Sequence, residues 1–323
     1  MALGKPKIID ESITENWLNV FLVASPILSI ITKMIIDNYN IKEQNILIIS
    51  FRNSSLEILD YENLILKRGK YDSYMEKLFF DSPSARKILK KIKKYDKKFL
   101  LFTANIWREN NWLIKQNLCA GHIYVEEGQG SYMNHRPFSF KKLTILEKIK
   151  FNWTNRVIPS AHNLGQEGAG YCYRDDAKAF IGLSKNSFPL VLESNRFLVE
   201  NFESLKNKYK PKIIGEPIIG ITSSASRHPN KEDVEYMLSK LIYNLPKGSL
   251  IKPHPSFTIN KNIFSEFNKS FNKLNNKNIS LCESNVILEL EMIYEKKHIV
   301  GPQSSLSIYT KMLGSQYEEI KLF

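Results

Sequence analysis

Three short motifs in the chain combine residue types that transfer protons or bind phosphate. The first is a carboxylate pair, Glu126 and Glu127, followed by a glycine turn that begins at Gly128. A carboxylate within hydrogen-bond reach of an alcohol can take its proton. Adjacent side chains point in different directions, so one carboxylate could face a substrate while the other supports the loop. A solvated acidic turn explains this motif equally well when it is taken alone.

The second motif presents His254 between Pro253 and Pro255, directly after the apolar run Ser249–Lys252. Each proline fixes its own φ, and the charge of a histidine switches near neutral pH. Such a rigidly presented histidine suits a proton donor or a phosphate ligand. A second histidine, His228, follows four small residues, and we expect it to be an ordinary surface or core residue.

The third motif places Ser304 and Ser305 after a Gly301-Pro302 turn, between an apolar run and a helical pattern. Two hydroxyls beside the N–H groups of a helix start can bind phosphate, and the helix dipole helps. Serine is also the preferred N-cap residue, so an ordinary cap is the alternative.

Short apolar runs alternate with helical patterns along the chain, which predicts an α/β fold with mostly parallel sheets. In such sheets the ligand crevice lies at the carboxyl ends of the strands, where all three motifs fall. The predicted strands are Trp17–Ala24, Asn45–Phe51, Lys98–Thr103, Gly121–Glu126, Ala179–Gly182, Ile213–Thr222, Ser249–Lys252, Asn278–Cys282, His298–Val300 and Glu318–Leu322. The predicted helices are Ile27–Tyr39, Tyr71–Tyr95, Asn110–Leu118, Pro189–Tyr209, Lys231–Tyr243, Ile263–Leu274, Asn285–Tyr294 and Ser304–Leu313.

The length of 323 residues favours two domains. The pattern predicts two Rossmann-like halves, residues 1–207 and 208–323, with a ligand cleft between them. The three cysteines are few and odd in number, which indicates a reducing compartment. The N-terminus has no signal-peptide core, and the most apolar early stretch is broken by Pro26. We therefore predict a cytoplasmic protein whose membrane association, if any, is peripheral.

The net charge of +13 indicates a polyanionic partner: nucleic acid, an acidic membrane surface or an anionic polymer. The densest basic segment is 86–98, with eight basic residues and one acidic residue. Its apolar residues recur at helical spacing, so they can pack while the lysines face outward. An ordinary solvated helix face in a lysine-rich chain is the alternative. The lysines that we assign to polymer binding are Lys87, Lys90, Lys91 and Lys94.

In their order and spacing the motifs resemble the bacterial sialyltransferases of GT-B architecture. The resemblance rests on Glu126-Glu127-Gly128, on His254-Pro255, and on the serine pair 50 residues after His254. Further likeness lies in 21–26, similar to the opening strand and Ser/Thr-Pro turn of the family, and in 214–218, similar to the start of its second domain. The chain departs from the family in having no Asp in the acidic pair and Glu216 where Gln is common.

The resemblance implies two Rossmann-like domains facing a central cleft, with the acceptor bound by 1–207 and a CMP-sugar by 208–323. It implies transfer from CMP-sialic acid with inversion, without a metal ion or other cofactor. Glu126 would be the general base, with Glu127 as the alternative, and His254 would protonate or hydrogen-bond the departing phosphate. The remaining donor-site residues implied are Ser304 and Ser305 for the phosphate, Glu289 (or, in another register, Glu291) for the ribose, Pro255 and Gly128.

The acidic motif looks most like that of the capsular polysialyltransferases, which would make a sialic acid polymer the acceptor. The alternatives are a lipooligosaccharide monosialyltransferase and a transferase of another nonulosonic acid or Kdo. A non-enzymatic nucleic-acid-binding protein is disfavoured, because no helix-turn-helix, zinc or RNA-binding signature accompanies the charge.

Overall fold

The computed structural model describes residues 4–50, 58–66, 83–105, 108–134, 137–139, 142–154, 173–207, 209–228, 230–258, 261–283 and 285–322. The chain divides into two compact units, Met1–Lys208 and Tyr209–Phe323. The predicted domain boundary lies one residue earlier.

The first unit contains a seven-stranded sheet in which every pair of neighbours is parallel. Its order is β3-β2-β1-β4-β5-β6-β7. The strands are β1 (Leu18–Val23), β2 (Ile46–Ser50), β3 (Asn63–Ile65), β4 (Phe99–Thr103), β5 (Cys119–Val125), β6 (Ala179–Gly182) and β7 (Arg196–Leu198). The described helices of this unit are α1 (Lys7–Thr14), α2 (Pro26–Asn38), α3 (Pro83–Ile92), α4 (Arg108–Ile114), α5 (Ile145–Thr154) and α6 (Glu203–Lys206).

Strands β1, β2 and β4 are buried along their whole length, as their continuous apolar sequences predict for parallel strands. The Ser25-Pro26 junction begins α2 as expected. The Ser25 hydroxyl accepts a hydrogen bond from the Leu28 N–H at 3.5 Å, and Pro26 occupies the first helical position.

The second unit contains a five-stranded parallel sheet in the order β10-β9-β8-β11-β12. Its strands are β8 (Ile218–Ile221), β9 (Leu250–Lys252), β10 (Ser280–Leu281), β11 (His298–Gly301) and β12 (Gln316–Glu319). Its described helices are α7 (Lys231–Asn244), α8 (Pro255–Thr258), α9 (Lys261–Leu274), α10 (Leu288–Tyr294) and α11 (Ser305–Met312). The buried faces of α7 and α9 form one apolar core with Ile251 of β9 and Val300 of β11.

A buried carboxylate anchors the first residues of this second unit. Glu291 of α10 accepts hydrogen bonds from the Tyr209 hydroxyl (2.5 Å), the Lys212 N–H (2.9 Å) and the Ile213 N–H (3.1 Å). Glu291 is fully buried. This carboxylate therefore has a structural task, whereas its helical neighbour Glu289 makes no such contact with the segment.

The helix predicted over Pro189–Tyr209 is wrong. That stretch contains the short strand β7 and the four-residue helix α6. Pairing of β7 with β6 completes the edge of the sheet, and this tertiary contact overrides the local helical pattern. Of the helix predicted at Tyr71–Tyr95, residues 71–82 lie outside the described residues, as do Tyr171 and Cys172.

In the described part of the chain, every helix is too short or too polar to cross a bilayer.

Candidate active site

Glu126 lies at the carboxyl end of β5, where its side chain is completely enclosed (0% exposed). Its Oε2 accepts hydrogen bonds from the Leu183 N–H (2.8 Å) and the Ser187 hydroxyl (2.5 Å). Its Oε1 accepts one from the Tyr132 hydroxyl (2.6 Å). Because Leu183 and Ser187 follow β6, this carboxylate ties together the ends of two neighbouring strands.

The surroundings of Glu126 are built to hold a carboxylate. A Cβ added to Gly182 would lie 2.7 Å from Ser187 Cβ and 2.8 Å from Glu126 Oε2, so only glycine leaves room. Burial and the charge of Glu126 raise the pKa of Tyr132, which keeps the phenol protonated as a donor. Glu126 is therefore a supporting residue of the loop in this structure.

Glu127 is half-buried, and its side chain is the member of the pair with access to solvent. Its N–H donates to the Ser131 hydroxyl at 2.9 Å, which closes the turn. Gly128 follows with φ +60°, a backbone conformation that favours glycine. The two carboxylates thus differ in burial, since Glu126 is enclosed and Glu127 is half-buried. Glu126 as the general base, with Glu127 as the alternative, stays a prediction.

A charged cluster surrounds His122, which lies within β5. Arg174 is buried and donates to Asp176 (2.7 and 2.5 Å) and to Asn111 (2.7 Å). The Nε2 of buried His122 lies 3.9 Å from Asp176 Oδ1. Burial lowers the pKa of His122 to about 4; Arg174 and Lys178 act in the same direction, and Asp176 opposes them. The folded chain therefore keeps this imidazole neutral.

The stability of the chain should consequently fall as the pH drops from 6.5 toward 4. Below 6.5 the unfolded chain protonates His122, whereas the folded chain does so only near its lowered pKa. We expect this residue to cost about 2 kcal/mol of unfolding free energy between pH 6.5 and pH 5. Urea unfolding of the wild type and of His122→Asn at both pH values measures it. An equally steep pH dependence in His122→Asn would contradict the expectation.

In the second unit, three loops meet at one edge of the sheet. They follow β8 (Thr222–Ser224), β9 (Pro253–His254) and β11 (Pro302–Ser304), and β8 lies between the other two strands. Neighbouring strands lie about 4.8 Å apart, so one ligand can touch all three loops. The order of the strands reverses between β8 and β11, which is where open α/β sheets bind ligands. The structure therefore brings His254 and the serine pair to a common edge.

His254 is exposed at this edge, and its main chain is fixed to the neighbouring strand. Its N–H donates to the Thr222 hydroxyl at 2.8 Å, and Pro255 begins the short helix α8. His228, by contrast, is buried (7% exposed), and its Nε2 pairs with the Ser223 hydroxyl. Burial lowers the pKa of His228. His228 is thus a core residue, which is one of the two ordinary roles expected from the sequence.

Ser304 occupies the N-cap position of α11, but its hydroxyl makes no capping hydrogen bond. The hydroxyl lies 3.4 Å from the Tyr317 hydroxyl, which itself donates to the Pro302 carbonyl at 2.5 Å. Ser305 is half-buried in the first turn. The ordinary capping role that serine plays elsewhere is therefore not what the Ser304 side chain does here.

Glu289 lies in the first turn of α10 and is half-buried. Burial raises the pKa of Glu289, and the nearby charge of Lys252 opposes this effect. Lys252 ends β9, two residues before His254, and burial lowers its own pKa. Glu289 is thus close to Lys252, at the end of the strand that leads to His254. The carboxylate of Glu291, by contrast, binds Tyr209, Lys212 and Ile213.

The basic segment forms an amphipathic helix, as predicted. Ile88 and Ile92 are buried in the core of the first unit. Of the four assigned lysines, Lys87, Lys90 and Lys94 are exposed, whereas Lys91 forms an ion pair with Glu62, whose pKa is lowered by it. Glu62 precedes β3, so this pair lies at the amino edge of the sheet, opposite the edge that carries Glu126. The structure does not bring the lysines together with the carboxylates.

Sequence reasoning missed the residues that support these side chains. Ser187 and Leu183 hold Glu126, and Thr222 and Ser256 hold His254. Of these residues, only Ser256 could have been found from the local sequence. It lies two residues after His254, which precedes the helix α8, and the N–H at that position commonly binds the side chain of the cap residue. Within the described residues, no cluster of three or more metal-binding side chains occurs.

No protein-family model and no curated protein matches this sequence. Solved structures do. S. aureus MnaA, in a co-structure with UDP, is 11% identical with a TM-score of 0.55 over 93% of this chain and 78% of that one. The UDP-GlcNAc 2-epimerase from Methanocaldococcus jannaschii is 15% identical (TM-score 0.47, 93% and 82%), and Anabaena Alr3699/HepE with UDP and glucose is 12% identical (TM-score 0.44, 93% and 80%).

At such identities the likeness concerns the fold. Two parallel α/β units and the likeness to MnaA define a protein of the GT-B fold class, with two Rossmann-like domains. The fold class predicted from the sequence is confirmed.

Proposed function

We propose that the chain is a glycosyltransferase that moves sialic acid from CMP-sialic acid to a (poly)sialic acid acceptor in capsule biosynthesis, with inversion. The observation that best supports a transferase is the meeting of His254 with the loops after β8 and β11 at the edge where the strand order reverses. The GT-B fold, which occurs in enzymes that use nucleotide-activated sugars, is consistent with it. The choice of sialic acid rests on the motif resemblance.

In the donor site of this proposal, residues of the second unit act on the nucleotide. Ser304 and Ser305 hold the phosphate with hydroxyls and with the N–H groups that begin α11. His254 donates a hydrogen bond or proton to the phosphate as it departs. Glu289 accepts hydrogen bonds from the ribose hydroxyls, and burial raises the pKa of this carboxyl.

In the acceptor site, Glu127 takes the proton of the attacking hydroxyl. Glu126 holds the loop that presents it, and Gly128 allows the turn. Attack from the face opposite the departing nucleotide inverts the anomeric centre in one displacement. Positioned proton transfer of this kind contributes about 10²–10⁴-fold in rate.

A transferase of a UDP-sugar is the second candidate, because MnaA of the same fold was solved with UDP. Incubation with CMP-sialic acid, CMP-Kdo, UDP-GlcNAc and UDP-glucose, each with a sialic acid oligomer or a galactoside, separates the candidates. CMP release with a product ladder supports the proposal. A single addition to galactosides indicates a monosialyltransferase. Release of UDP indicates that the donor is a UDP-sugar. No release of nucleotide from any donor and acceptor refutes a transferase of these sugars.

The exposed lysines of the basic segment 86–98 give a test of the polymeric acceptor. Lys87, Lys90 and Lys94 replaced together by Gln should raise KM for long acceptors about five- to tenfold and leave short acceptors almost unaffected. The lysines lie at the amino ends of the strands and Glu127 at the carboxyl ends, and the length of β4 separates these two ends by about 17 Å. Only a long acceptor can therefore contact both. Lys91 is left intact because it holds Glu62. Product lengths and KM at two salt concentrations are the measurements.

The matched control removes the same charge from the second unit, with exposed Lys240, Lys247 and Lys269 replaced by Gln. This variant should behave as the wild type with both acceptors. If KM rose equally for long and short acceptors, or rose as much in the control variant, the charge of the segment 86–98 would be ordinary surface charge.

A further inference from the structure

Ser256 joins the loop after β8 to the ring of His254. Its hydroxyl oxygen accepts a hydrogen bond from the Ala225 N–H at 2.8 Å and lies 2.8 Å from His254 Nδ1. The main-chain N–H of Ser256 also contacts Nδ1, at 3.1 Å. Because this N–H donates to Nδ1, that nitrogen carries no proton, and the Ser256 hydroxyl is therefore the donor in its contact with Nδ1.

Two donors therefore converge on one ring nitrogen. A nitrogen that accepts hydrogen bonds carries no proton, so the neutral ring of His254 has its proton on Nε2. The main-chain N–H cannot rotate away or become an acceptor, which makes a proton on Nδ1 unfavourable. Meanwhile the His254 N–H is fixed to the Thr222 hydroxyl, so main chain and ring are each held by a different contact.

We infer that Ser256 is a positioning residue, which fixes His254 in the Nε2–H tautomer and aims that N–H at the leaving phosphate. The inference rests on the proposed function, in which His254 contacts that phosphate. A neutral Nε2–H ring supplies a hydrogen bond to the phosphate without first having to take up a proton. The chain Ala225–Ser256–His254 also couples the ring orientation to the loop after β8, at the centre of the sheet edge.

The alternative is that Ser256 merely braces the start of α8. The two roles differ in what they change. A brace alters stability, whereas a positioning residue alters the protonation of a particular nitrogen and lowers kcat while leaving donor KM almost unchanged.

Nitrogen-15 NMR of histidine-labelled protein at pH 8, together with kinetics, tests the inference on the intact chain. We expect the wild type to show protonated Nε2 and unprotonated Nδ1 for His254, assigned by comparison with His254→Asn. Ser256→Ala should introduce a population with protonated Nδ1 and lower kcat about fivefold, with donor KM within twofold, as the loss of one hydrogen bond predicts. Ser256→Thr, which keeps the hydroxyl, should restore both the tautomer and kcat.

A wild-type ring protonated on Nδ1, or an unchanged tautomer in Ser256→Ala, would overturn the assignment. A tautomer change without loss of kcat would overturn its link to turnover. If the wild type released no nucleotide from any donor, the proposed function would fail, but the NMR result would still decide the tautomer. The two failures are therefore distinguishable.

Discussion

Glu127→Gln should lower kcat about 10²–10⁴-fold while leaving the unfolding free energy within about 0.5 kcal/mol of the wild type. The amide keeps the size and polarity of the side chain but takes up no proton. Glu127 is half-buried, and the hydrogen bond that closes its turn comes from its main chain, which the substitution preserves. Steady-state release of nucleotide and urea unfolding are the two measurements.

Glu126→Gln is the matched control, one residue away and with the same chemical change. It should cost about 1–2 kcal/mol of unfolding free energy, because an amide NH₂ must replace one of the acceptor oxygens that face Tyr132, Ser187 and the Leu183 N–H. The folded fraction should still turn over within about tenfold of the wild type. The reverse pattern, with Glu126→Gln inactive and stable, would return the base to Glu126.

His254→Asn should lower kcat by about 10²-fold or more with little change in stability. Asparagine is chosen because its side-chain oxygen can still accept the Ser256 N–H as a helix cap, so the start of α8 is kept. What the substitution removes is the ring nitrogen that reaches the phosphate.

The companion substitution His228→Asn should do the opposite. It removes a buried ring that pairs with Ser223, so we expect lower stability with ordinary turnover per folded molecule. Near-normal rates in His254→Asn would refute the role proposed for His254. Loss of turnover in folded His228→Asn would show that the wrong histidine was chosen.

Much of the fold was predictable because buried parallel strands carry a strong local signal. Ala179–Gly182 was predicted with its observed bounds, and β1, β2 and β4 to within a residue or two at each end. The strands that were missed, β3 and β7, are three residues long and lie at the two edges of the sheet. Their existence depends on a neighbouring strand and not on their own sequence.

The candidate site divides in the same way. The sequence places His254 and Ser304 after apolar strands, and parallel topology then brings them to one edge. Which of two adjacent carboxylates faces solvent is a different kind of question. Its answer depends on donors 57 and 61 residues further along the chain, at Leu183 and Ser187, which no local pattern links to Glu126.

The hydrogen bonds of Glu291 to the first residues of the second unit have a consequence for the order of events during synthesis. The partners of this carboxylate lie 78 to 82 residues earlier in the chain, at Tyr209, Lys212 and Ile213. At about 5–20 residues per second, roughly 4–16 seconds of synthesis separate them. The first residues of the second unit are thus synthesised well before the carboxylate that fixes them, and they stay unanchored during that interval.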